Sequence, residues 1–217
     1  MNTLTLTINM KKIKISHEVP FCLLEKSREF NDYDYCLPHL MDENEEYRNF
    51  FIESRARSRY IVMDNSLHEL GVAYDTSRLL YWINQLKPDE FIVPDVWENV
   101  NQSVIQARTW ASINLPEKVT KVAVVQAKSI EEASECYTKY KMLGYKKIAF
   151  SYGAGYYQKH FPHPINAIST AMGRVAVVGE LFKKDVINLH DRVHLLGCAA
   201  PQEFNFYQHM PFVETID

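Results

Sequence analysis

The chain has 217 residues, 47% hydrophobic and 24% charged, with a net charge of −3 and a pI near 6.2. Length and composition fit one soluble globular domain with a full core, and the charge excludes a chain that coats nucleic acid by bulk electrostatics while leaving room for a local basic patch. Cys22, Cys36, Cys136 and Cys198 lie apart without a CxxC pair or a preceding signal peptide, and no apolar run reaches the roughly 18–20 residues of a spanning helix, so reduced thiols in a cytoplasmic protein with no membrane partner are expected.

The first ten residues, MNTLTLTINM, alternate Leu or Ile with Thr and Asn and read as an edge strand or terminal arm. KKIKIS and PFCLLE read as short leading strands, so residues 1–32 are expected to pack on the main domain as an arm. From residue 33 the pattern repeats. YDYCLPHL (33–40) is a predicted strand, and ENEEYRNFFIESRARS (43–58) a helix with acids in its first turn and arginines in its last, complementing the helix dipole. A strand over 60–64, a helix over 76–86, a strand over 90–94 and a helix over 97–113 follow. The strand 121–126 precedes a helix over 129–144, capped by Ser129, with Glu131 and Glu132 in its first turn and Gly144 as its stop. KKIAFSYG (146–153) is the next strand, and a long, partly helical segment runs on to about 188. A strand over 192–197, a helix from Pro201 to about Met210 and the strand FVETI finish the chain.

Apolar strands alternating with amphipathic helices predict an α/β fold with a parallel sheet covered on both faces. The number of βα units points to a single (βα)8 TIM-type barrel over residues 33–217, with its active site at the carboxyl ends of the strands. Asp64 in YIVMDNS, Asp95 in EFIVPD, Gln126 in KVAVVQA, Ser151, Tyr152 and Gly153 in SYG, Gly197 in HLLG and Asp217 in VETID would then converge on one mouth. Strands also exit to solvent on polar residues where there is no site, so the ordered set carries this reading and no single residue does. A barrel needs one more strand after Asp217. It is therefore expected to be incomplete or atypically closed at that end, by the N-terminal strands, a partner or further chain.

The order of these strand ends resembles the tRNA-guanine transglycosylase superfamily, in particular its short phage and bacterial DpdA-type members, which put 7-deazaguanines into DNA. MDNS matches the family's first aspartate turn, VPD its second aspartate, VQA its VQG, SYG its glycine turn, HLLGCAAPQEF its HLLG with a following proline and acid, and VETID its last aspartate. VQA departs from the family's glycine pair, and the cysteine-rich zinc site of the tRNA enzymes is missing. The resemblance covers residues 33–217 and implies base exchange with no cofactor and no metal. It makes Asp217 the nucleophile of a covalent glycosyl intermediate and Asp64 the general acid/base, the two-carboxylate logic of retaining glycosidases applied to an N-glycosidic bond.

A guanine-like face needs an acceptor, which Asp95 supplies, and donors for its carbonyl, which Gln126 and the Gly153 N–H supply. Ser151, Tyr152 and Gly197 complete the expected base site, and Tyr152, Tyr156 and Tyr157 are candidates to stack a base taken out of its polymer. The partners implied are DNA or tRNA, a 7-deazaguanine base, and a second copy or an accessory assembly. An N-glycosidic hydrolase and a non-catalytic nucleotide- or nucleic-acid-binding accessory subunit are the alternative readings.

SYGAGYYQKHFPHP (151–164) is expected as a long loop whose Lys159 and His160 either grip phosphate or belong to an ordinary connection. His160 and His163 lack a third ligand at metal spacing. RARSR (55–59) reads as the solvated end of a helix, with a phosphate contact as its alternative. Trp82, Trp97 and Trp110 read as packing residues, and Trp97 is close enough to Asp95 to wall a pocket.

Overall fold

The computed structural model describes residues 12–198 and 200–217, so the strand expected over MNTLTLTINM lies outside the described residues. The first half runs β1 (Lys14–Ile15), α1 (Leu24–Ser27), β2 (Asp34–Cys36), α2 (Pro38–Glu43), α3 (Glu45–Ala56), β3 (Ile61–Met63), α4 (Leu67–Leu70), α5 (Thr76–Leu86) and β4 (Glu90–Ile92). The second half runs α6 (Val100–Ser112), β5 (Thr120–Val125), α7 (Ile130–Met142), β6 (Lys147–Phe150), α8 (Tyr157–His160), α9 (Asn166–Lys183), β7 (Val193–Leu195), α10 (Phe204–Tyr207) and β8 (Val213–Ile216).

Local chemistry sets many of these boundaries. Asn44, Asp75, Asn99 and Ser129 each accept a backbone N–H three residues on, opening α3, α5, α6 and α7. The Asn99 cap starts α6 at Val100 and leaves Trp97 in the loop, later than the helix expected from residue 97. YDYCLPHL is strand only as far as Cys36, because Pro38 occupies the first turn of α2, where its missing N–H costs nothing. PFCLLE is helical, a 3₁₀ turn over Phe21–Leu23 leading into α1, where a strand was expected.

The eight strands among the described residues are all parallel and lie in the order β1-β8-β7-β6-β5-β4-β3-β2, curled as an incomplete (βα)8 TIM-type barrel. β1 pairs with β8 through Lys14–Thr215 and Ile15–Ile216, so a strand from before residue 33 lies beside the last one. Between β1 and β2 the seam is bridged by single bonds instead of a ladder. Asp32 N–H donates to the Ile15 carbonyl at 2.8 Å, and the Asn31 side chain both accepts from His17 N–H at 2.8 Å and donates to the His17 carbonyl at 3.0 Å.

Charged side chains fill the amino end of the barrel. Lys147 and Glu90, both wholly buried, pair at 2.6 Å, and the Tyr60 hydroxyl and Arg192 guanidinium also donate to Glu90. The arginines of RARSR stand near this end and are paired: Arg59 with Asp34, Arg55 with Asp89 and Arg57 with Glu53. That leaves the carboxyl end for different chemistry. No helix among the described residues is long and apolar enough to cross a membrane.

Candidate active site

The carboxyl ends of the strands surround an open-mouthed pocket of about 140 Å³. Asp64, Asp95, Gln126, Ser151, Tyr152, Gly197 and Asp217 line it, joined by Glu18, Tyr35, Asn65, Glu69 and Trp97. Gly153 stands just behind this wall with φ +79°, where a Cβ would lie 3.7 Å from the Trp97 ring.

Asp64 follows β3 and is buried. The Tyr35 hydroxyl donates to its Oδ1 at 2.9 Å, and the Ser66 N–H donates to its Oδ2 at 2.9 Å. Ser66 reaches that position from a left-handed backbone, φ 59°, a conformation costing a side-chain-bearing residue about 1–2 kcal/mol. Its hydroxyl lies 2.8 Å from Nδ1 of the buried His39, a contact that helps hold the strained turn. Burial foremost, then the Glu69 charge, pushes the Asp64 carboxyl up to about 8 against the pull of its hydrogen bonds. Asp64 therefore carries a proton at neutral pH.

Asp95 is gripped on both oxygens. Asn65 Nδ2 donates to Oδ1 at 2.7 Å and Gln126 Nε2 donates to Oδ2 at 2.6 Å, three strand ends meeting at one carboxyl group. Each amide is itself anchored. Asn65 Nδ2 also donates to the Val93 carbonyl while its Oδ1 accepts from Leu67 N–H, and Gln126 Oε1 accepts from Glu98 N–H. Burial raises Asp95 to about 6, with the Gln126 and Asn65 bonds opposing. Gln126 keeps its second amide N–H for a ligand.

Asp217 follows β8 and accepts the Gly197 N–H on Oδ2 at 2.9 Å. Gly197 has φ +65°, and a Cβ there would meet the Tyr152 Cβ at 2.9 Å, so the loop needs glycine on both counts. The loop is clamped from behind by Arg174 of α9, which donates to the Leu196 and Gly197 carbonyls at 2.7 Å each. Arg174 and Glu203 are fully buried and pair at 2.8 Å, and the guanidinium sits 5.3 Å from the Tyr152 ring centre. Glu18, just beyond β1, is exposed at the rim, yet its carboxyl group faces the pocket, where partial burial and the Asp217 and Glu69 charges raise it to about 7.

The structure divides the aromatic candidates. Tyr156 and Tyr157 are buried, with the Tyr157 hydroxyl donating to the Ser151 carbonyl, so neither is free to stack a base. Tyr152 lines the pocket, and Trp97 does so with 45% of its surface exposed, while Trp82 and Trp110 are core residues as expected. Lys159 and His160 belong to α8 and stay off the pocket wall. No group of three or more His, Cys, Asp or Glu among the described residues is placed to hold a metal ion. Sequence reasoning missed Glu18, Tyr35, Asn65 and Glu69. Applying the strand-end rule to KKIKIS, which it read as a strand, would have reached the segment holding Glu18.

Among the described residues, the pocket wall thus carries five carboxyl groups, Glu18, Asp64, Glu69, Asp95 and Asp217, and neither lysine nor arginine. Such a wall receives ligands rich in N–H donors and repels phosphate. No protein-family profile matches the chain, and no curated protein matches it either.

Proposed function

We propose that this protein is a nucleobase transglycosylase of the cytoplasm, exchanging guanine in DNA or tRNA for a 7-deazaguanine base. The observation that carries the reading is two carboxyl groups of different setting in one pocket: Asp64, buried and bonded by the Tyr35 hydroxyl and the Ser66 N–H, and Asp217, fixed by the Gly197 N–H. In the first half of the exchange an Asp217 oxygen attacks C1′ of the nucleotide, the C1′–N bond breaks, and the departing base takes the Asp64 proton. In the second half the incoming base gives its N–H proton to Asp64 and its nitrogen attacks C1′. The C1′–O bond then breaks, and its electron pair returns to Asp217.

Asp95 supports the choice of base. Its two amide partners fix it as an acceptor for the N–H edge of a guanine-like ring, and the spare Gln126 N–H suits the ring carbonyl. A base lacking those groups leaves buried polar atoms unpaired and is rejected by a large factor. The phosphates of a polymer would lie outside the acidic wall, with only the flipped nucleoside inside.

The test incubates the protein with guanine-labelled DNA or tRNA and a 7-deazaguanine, followed by nucleoside mass spectrometry. A deazaguanosine peak lost in Asp64→Asn and Asp217→Asn is the expected result. Free guanine without incorporation would assign the chain to the hydrolases, and ligand binding with neither product would make it an accessory subunit.

A further inference from the structure

We infer that His194 is a positioning residue for Asp217, an inference that rests on the reading of Asp217 as the nucleophile. His194 is the middle residue of β7 and is completely buried beneath the pocket. Its Nε2 lies 2.9 Å from Asp217 Oδ1, bent off the line of a full hydrogen bond, and among the described residues neither atom has another hydrogen-bond partner. Two buried polar atoms that face only each other are strongly biased to interact, since each pays the full desolvation cost if they do not.

The tautomer follows from the atom facing Nε2. Asp217 Oδ1 can only accept there, which favours the proton on Nε2, and the Thr215 hydroxyl, 2.8 Å from Nδ1 and able to donate or accept, is free to donate to the bare Nδ1. The backbone is arranged for this meeting. Val193 pairs with Val213 but His194 pairs with Thr215, so β8 holds one extra residue, Glu214, and its register shifts at this point. Bulges of this kind re-aim side chains beside active sites. Without the shift, His194 would face Glu214.

The ring is also held by its neighbours. Tyr35 of β2 stacks on it at 6.2 Å and 15°, and the same tyrosine donates to Asp64. Among the described residues, Tyr35, Asp217 and Glu90 stand near His194, and Glu90 is paired with Lys147. One buried imidazole and one phenol therefore tie together the two carboxyl groups of the proposed reaction. When the C1′–O bond to Asp217 breaks in the second half, the electron pair returns to a carboxylate that already has the His194 N–H waiting on its far oxygen.

The experiment has one arm that needs no activity. Nitrogen-15 NMR of the histidine rings in the full chain is expected to show His194 protonated on Nε2, with that resonance moving in Asp217→Asn and staying put in Asp95→Asn. An Nδ1-protonated ring, or an Nε2 signal indifferent to Asp217, overturns the inference whatever reaction the protein performs. The second arm measures base exchange into DNA and tRNA. His194→Phe is expected to lower kcat about 10- to 100-fold with KM nearly unchanged, and His194→Gln, which keeps an amide donor, to recover much of it. Native kcat in His194→Phe overturns the inference. Should the native protein exchange no base while the NMR coupling is present, the transglycosylase reading fails and the His194–Asp217 placement stands.

Discussion

Gln126 Nε2 donates to Asp95 Oδ2 at 2.6 Å, a buried contact between the ends of the neighbouring strands β5 and β4 on the pocket wall. Its consequence is testable through charge. Gln126→Glu sets a carboxyl group against another carboxyl group, and the pair retains a proton in the fold that the unfolded chain gives up. Folding of this variant should weaken more steeply than that of the native protein as pH rises from 5 to 8. Gln126→Leu strips Asp95 and the Glu98 N–H of a partner and lets Asp95 rise above its native value of about 6, so it should cost about 1–3 kcal/mol with a shallower pH dependence than Gln126→Glu. Denaturant melts of the two variants across that range decide it, and parallel pH curves would mean that Asp95 and residue 126 do not share a buried site.

Asp64 makes the opposite kind of prediction, a gain. Its carboxyl group titrates near 3.8 in the unfolded chain and at about 8 in the fold. Between those values the folded state keeps a proton that the unfolded state has lost, so stability falls as pH rises through the window. Asp64→Asn removes that dependence while leaving a carbonyl for the Ser66 N–H and an amide for the Tyr35 oxygen. The variant should match the native protein near pH 4 and exceed it by roughly 2–5 kcal/mol at pH 8. Urea titrations at the two pH values measure the difference, and an advantage equal at both would place the Asp64 carboxyl in its ordinary range.

Most strand-end residues were legible because each is the first polar group after a buried apolar run, and a parallel barrel delivers all such positions to one face. Asp64, Asp95 and Gln126 follow from that rule, whereas Asp217 comes after the mixed strand VETI and was found as the residue that closes the last strand. Asn65 does not, since its bond to Asp95 depends on where β3 stops relative to β4, and register between strands leaves no mark in a single sequence. His194 was hidden for a related reason: the extra residue in β8 that brings it to Thr215 cannot be seen without the pairing. Tyr156 and Tyr157 misled because SYGAGYYQKHFPHP has loop composition, whereas α8 packs so tightly on α9 that a Cβ at Gly173 would fall 2.0 Å from the Tyr157 carbonyl oxygen.

Arg174 ties the rear of the site to the core. Replacing it with Met leaves Glu203 charged and buried without its partner, which should cost about 3–5 kcal/mol, and the double variant Arg174→Met, Glu203→Leu should recover much of that loss. Arg174→Lys should not rescue, because one ammonium cannot span the Leu196 and Gly197 carbonyls and the carboxylate together. Chemical denaturation of the native protein, Arg174→Met, Glu203→Leu and the double variant forms a complete double-mutant cycle, with Arg174→Lys measured beside it. A loss under 1 kcal/mol for Arg174→Met would contradict the clamp.

Trp97 should behave in the reverse manner, mattering for ligand and little for stability. It is 45% exposed on the pocket wall, held in the loop between β4 and α6 by the Asn99 cap rather than by the core. Trp97→Ala should therefore change folding stability by no more than about 0.5 kcal/mol. If its indole is the platform on which a guanine-like base stacks, the same substitution should weaken binding of that base by about 1–3 kcal/mol, with Trp97→Phe losing less. Tryptophan fluorescence reads this directly, since Trp82 and Trp110 are buried and only the Trp97 signal should be quenched by ligand. Quenching that survives in Trp97→Ala would place the bound base away from this wall.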